Sequence, residues 1–140
     1  MTRLITLLAA AFLFAFAAPA SSLAQDTEAQ ILASGGWDNQ EYDIAGDWRI
    51  ETRADGNYLV LSDEFRTRRG PDLKIFFHTA EAGEVTGNNA AEGFLLTELD
   101  RNRGGQEYLL PADFDLADYA SVVIHCERFS KLWGAGDLNA

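Results

Sequence analysis

A second cysteine is missing, and much follows from that. The 140-residue chain carries one cysteine, Cys126, with two histidines and one methionine. A single thiol cannot close an internal disulfide, and neither a Cys-x-x-Cys redox pair nor the Cys-x-x-Cys-His of covalent haem attachment can be written. Positive charge is scarce too: 11 Lys and Arg stand against 22 Asp and Glu, for a net charge of −11. Such an acidic surface repels phosphate backbones and anionic lipid, which argues against nucleic acid and membrane surfaces as partners. There is no heptad, no internal repeat, no Gly-x-Ser-x-Gly, no P-loop and no dinucleotide fingerprint. Those absences remove the commonest sequence signatures of hydrolases and nucleotide-binding proteins.

Long apolar runs are absent except at the start. Arg3 precedes an apolar stretch from Leu4 to Ala17, and Ser22-Leu-Ala24 supplies small residues for cleavage. The run is short for a membrane span and reads as a secretory signal peptide over residues 1–24. No cysteine follows it, so lipoprotein processing has no acceptor. The expected product is exported, periplasmic or secreted, with no membrane insertion after cleavage. Residues 25–36 read as a flexible lead-in and 37–140 as one domain, large enough for a core without disulfides.

Within that domain the pattern is of short strands and frequent turns. Trp48, Ile50 and Thr52 alternate with Arg49, Glu51 and Arg53, and Ala54-Asp-Gly-Asn57 then turns the chain into a return strand, Tyr58 to Ser62. Further strands are expected at Leu73–Thr79, Phe94–Leu99 and Tyr108–Leu110. Residues 80–92 show no periodicity and read as a surface excursion, while Gly134-Ala-Gly136 reads as the end of the domain. The chain centres on Tyr119 to Cys126. There Ala120, Val122, Ile124 and Cys126 form a continuous apolar face, opposite a mixed, solvent-facing one of Tyr119, Ser121, Val123 and His125. Short strands without helical patterning predict an all-β, antiparallel sandwich or barrel.

Few residues can carry chemistry. Free cysteine is among the most buried residue types, and a thiol enclosed by apolar side chains is chemically quiet. Against that packing role, Cys126 can be a redox thiol or a ligand to haem iron or another cofactor. Alternation sends His125 away from Cys126, so an adjacent Cys–His dyad is not expected. His78 and His125 read as surface residues; were a haem bound, they and Cys126 would be its available donors. Zinc-finger spacing is absent, and Asp113, Asp115 and Asp118 lack the glycine and glutamate of a calcium loop. Arg66, Arg68 and Arg69 form a basic cluster suited to anion binding, or else to internal pairing with the surplus acids, which is the expectation here.

Three segments together resemble the DM-thirteen domain, a small all-β module that often accompanies DOMON domains. They are Tyr58-Leu-Val-Leu-Ser-Asp-Glu-Phe65 running into Gly70-Pro-Asp-Leu-Lys74; Gly105-Gln-Glu-Tyr108 with Leu110-Pro111; and Ser121-Val-Val-Ile-His-Cys-Glu-Arg-Phe129 with Leu132-Trp-Gly-Ala-Gly-Asp-Leu138. They occur in the family's order and cover the chain from about Trp37. The resemblance implies a β-sandwich of DOMON or immunoglobulin-like kind and a role in extracytoplasmic electron transfer. It maps the family's redox or prosthetic-group-binding cysteine onto Cys126. The expected partner is a separate redox protein of the cell envelope, and the domain is expected to be a monomer. A non-catalytic binding module with Cys126 in the core is the alternative, and a hydrolytic enzyme comes last.

Overall fold

The computed structural model describes residues 28–139. The signal peptide expected over residues 1–24 lies outside them. The described chain is all-β, with no α-helix and four short 3-10 turns. Its strands are β1 (Gln30–Gly35), β2 (Asn39–Gln40), β3 (Ile44–Ala45), β4 (Trp48–Arg53), β5 (Gly56–Leu61), β6 (Arg66–Thr67), β7 (Leu73–His78), β8 (Phe94–Glu98), β9 (Gln106–Leu109), β10 (Ser121–Cys126) and β11 (Lys131–Asp137). One sheet has the order β1-β4-β5-β9, a second the order β2-β11-β10-β7-β8, and β3 pairs with β6 at one end. All the named pairings are antiparallel.

The two large sheets face each other across one core. Trp48, Ile50, Leu59 and Leu61 come from the first sheet. Leu73, Ile75, Phe77, Val122, Ile124, Cys126 and Trp133 come from the second. In each strand these are alternate positions, as a pleated chain with one face inward requires. The expected sandwich is therefore present, and the hairpin of β4 and β5 turns through Ala54–Asp55, with Arg53 opposite Gly56.

Several expectations are corrected. Residues 30–35, read as lead-in, pair with β4. Gly134-Ala-Gly136 does not end the domain but lies inside β11, hydrogen-bonded to β10. A Cβ at Gly136 would run into the Gly36 carbonyl oxygen and the Trp48 indole nitrogen, and one at Gly134 into Ile44. At Gly136 glycine is thus required because the Gly36 carbonyl oxygen, together with the Trp48 ring that donates to it at 2.7 Å, occupies the space of a side chain. The 80–92 excursion is not a loose surface feature. Its Ala82, Val85 and Ala90 pack on Phe76, Val123, Leu132 and Ala135 to form a second core on the outer face of the β10 sheet. Asn39 Nδ2 donates to the Ala82 and Val85 oxygens, both at 2.9 Å, and pins the segment down. As a result β10 is buried on both faces, including the one expected to meet water.

Candidate functional site

Cys126 closes the inward apolar row of β10, and its exposure is 0%. Its cross-strand neighbours are Leu73 on β7 and Lys131 on β11. Between Ile124 and His125 the register with β11 slips, leaving Trp133 as the extra residue of a bulge. A bulge re-aims side chains, and here Trp133 joins the same inner core as Cys126. The Leu73 and Trp133 side chains converge beneath Gly70, where any added Cβ would meet both. Leu73 also walls a surface cleft lined by Arg69, Gly70, Pro71, Asp72, Leu99 and Arg101. The sulfur is therefore enclosed, yet one cross-strand neighbour away from a cleft. From Trp133 an aromatic contact leads outward. Its ring lies 4.4 Å from that of Tyr42, its N–H donates to the Arg68 oxygen at 3.0 Å, and the Arg68 guanidinium sits 5.3 Å from the Tyr42 ring.

Both histidines are buried, correcting the expectation of surface residues. His78 accepts from the Ala80 N–H at Nδ1 (2.9 Å), and its Nε2 lies 3.1 Å from the Asn89 oxygen, so both ring nitrogens anchor the 80–92 segment. The second contact makes Nε2 the protonated nitrogen. His125, 1% exposed, stands edge-on to Phe76 with ring centroids 6.0 Å apart. Its Nδ1 has no partner among the described residues. Burial pushes its pKa below the ordinary 6.5, against the opposing pull of Glu127, the Lys131 backbone and Asp72.

A haem ligand needs open space in front of the donor atom. Cys126 has none and points inward, while the histidines belong to the outer face, one of them with both nitrogens engaged. None of the three lines the two arginine clefts or three further clefts among the described residues. These residues do not fit a haem. Nor do any three His, Cys, Asp or Glu among the described residues gather as metal ligands do. Asp115, considered for calcium, instead caps a helical turn by accepting from the Ala117 N–H at 3.0 Å.

The arginines depart most from expectation. Internal pairing with acids was expected for Arg66, Arg68 and Arg69, but the ion pairs of the described residues go to Arg49, Arg53, Lys74 and Lys131. Arg66 and Arg68 line a cleft of about 440 Å³ with Tyr42, Thr67 and Arg103. Arg69 lines the adjoining one with Arg101 and Arg103. The sequence reading missed Arg101 and Arg103; the signal was the shared Arg-x-Arg spacing of residues 66–68 and 101–103.

No curated protein and no solved structure matches the chain significantly. Residues 37–138, which take in both faces of the sandwich, Cys126 and the arginine clefts, match the family described as Electron transfer DM13. With nearly three-quarters of its length covered by that match, the chain belongs to the electron-transfer DM-thirteen family.

Proposed function

We propose that this electron-transfer domain works outside the cytoplasm and that Cys126 is its redox position. The observation that carries the reading is the placement of the sole thiol: fully enclosed at the end of the central strand, beside a cleft wall, and in one core with Trp133. Disulfide exchange needs a resolving thiol, and the chain has no second cysteine. The sulfur therefore cycles one electron with a separate redox protein, thiol to thiyl radical as the S–H proton leaves and back to thiol as electron and proton return, rather than shuttling a disulfide. Its complete burial in one core with Leu73 and Trp133 keeps water from it, and the Trp133–Tyr42 ring contact leads outward from that core.

The test is a redox titration of the purified mature protein beside Cys126→Ser. Loss of the one-electron oxidation signal in a Ser variant that melts normally is expected; full retention of that signal removes Cys126 from the mechanism. A second reading, a binding module with Cys126 as a packing residue, draws on the same complete burial. A wild-type protein that is redox-silent across the whole titration decides for it. Export is tested separately by intact mass, which should give a periplasmic or secreted chain beginning at Gln25.

A further inference from the structure

Of the ten Lys and Arg in the described chain, six make no ion pair, and five of those six meet on two segments, β6 with the residues that follow it and a loop before β9. The segments are residues 66–69 and 101–103. Thr67 N–H donates to the Asn102 oxygen, and Asn102 Nδ2 returns a bond to the Thr67 oxygen, both at 2.9 Å. The same contact makes Arg66 and Arg103 direct partners in an antiparallel bridge. Directly opposed residues of such a ladder lie about 5 Å apart at Cα and project to one side, so like charges there destabilise the pair. In a protein with twice as many acids as bases, this repulsion has been left without a compensating carboxylate.

Arg68 adds a third guanidinium to the cleft, with its position set by the Tyr42 ring and by the Trp133 bond to its carbonyl. Asp43 is the one acid on the cleft wall; it forms no ion pair, and its carbonyl oxygen accepts from Thr67 Oγ1 at 3.2 Å. Thr67 itself is buried, so the segment that carries Arg66 and Arg68 is held from beneath. Guanidinium forks match oxyanions in two-point contacts, which a compact ammonium cannot do.

We propose that the cleft between Arg66, Arg68 and Arg103 binds a multiply charged oxyanion, carried by a phosphate- or carboxylate-bearing ligand. The bound anion takes the place of the missing carboxylate and relieves the Arg66–Arg103 repulsion. The proposal does not depend on Cys126 being redox-active, because it rests on the two segments alone.

Calorimetric titration of the mature protein at physiological ionic strength tests it, with pyrophosphate in one arm and citrate in the other. Saturable one-to-one binding of either probe is expected; a preference for one identifies the source, and equal binding points to the oxyanion itself. Arg66→Gln and Arg103→Gln should each weaken binding by about tenfold or more, and Arg103→Lys, which keeps the charge but loses the fork, should weaken it measurably. Arg128→Gln, exposed and elsewhere on the surface, should bind as the wild type does. A melting scan supplies the second readout. Without ligand, Arg103→Gln should melt no lower than wild type, and the rise in melting temperature that the anion gives to wild type should vanish. No saturable binding of either probe, or an equal loss in Arg128→Gln, overturns the proposal. So does an unliganded Arg103→Gln that melts well below wild type, since the pair would then be stabilising on its own.

Discussion

His125 is a buried imidazole whose charged form the fold disfavours, and that has a direction in pH. Its folded pKa lies below 6.5 because burial penalises the cation, so below about that pH the unfolded chain binds more protons than the folded one. Stability should therefore be complete above pH 6.5 and decline as pH falls through the folded pKa. Urea melts at pH 7.5 and 5.5 should show that drop, and His125→Phe, which cannot charge, should shrink it. An unchanged drop in the variant would place the titration elsewhere. Gly136 makes a steric prediction. Its missing side chain is the space in which the Trp48 indole reaches the Gly36 oxygen. Gly136→Ala should cost about 2–3 kcal/mol, read from the urea midpoint, because backbone rather than a flexible side chain blocks the added methyl. Neither role was legible in sequence. Glycine in a strand is ordinarily a sign against the strand, and the reason for it sits 88 positions away on β4. The two Arg-x-Arg triplets likewise meet only through a long-range bridge that local periodicity does not encode.

At the scale of the strand, the exposed face of β4 is held by charge. Glu51 accepts from Arg49 Nε and Arg53 Nε, each at 2.7 Å, and Arg53 continues through a two-point contact to Glu107 on β9. The Arg49 hydrogen bond, assisted by Arg53 and opposed by burial, holds the Glu51 carboxyl below the usual range. Arg53 does the same for Glu107. Carboxylates with lowered pKa stabilise the fold above about pH 4.5 and cease to do so as pH falls through the folded value, a more acidic window than that of His125. Glu51 is covered by the arginines rather than by the core, so Glu51→Ala should cost about 1–2 kcal/mol and flatten the acid limb of the stability curve. The strands β4, β5, β7 and β10 were readable because their inner rows are large and apolar. β1 was not: Gln-Ile-Leu-Ala-Ser-Gly has no alternation, and its pairing is dictated by β4. In the 80–92 segment only Ala82, Val85 and Ala90 are apolar and buried, too sparse a set for a period yet enough to roof a sheet.

For the molecule as a whole, the double burial of the central strand ties several properties together. β10 is the inner strand between β7 and β11, with one core beneath it and another above. A loop movement that uncovers the outer face leaves the inner row closed, and fraying of β1 or β8 at the sheet edges leaves β10 paired on both sides. Access to Cys126 for a bulky reagent therefore requires the two sheets to part. The sulfur becomes a built-in clock for global unfolding. With excess reagent its modification rate should equal the unfolding rate of the whole domain and rise with urea along the same slope as the unfolding limb. Modification that is fast and insensitive to denaturant would mean that a local breathing motion at Leu73 opens the cleft instead. In the expected case, damage to the thiol by oxidants in solution becomes as rare as unfolding itself, and the domain keeps its sole thiol intact for as long as it stays folded.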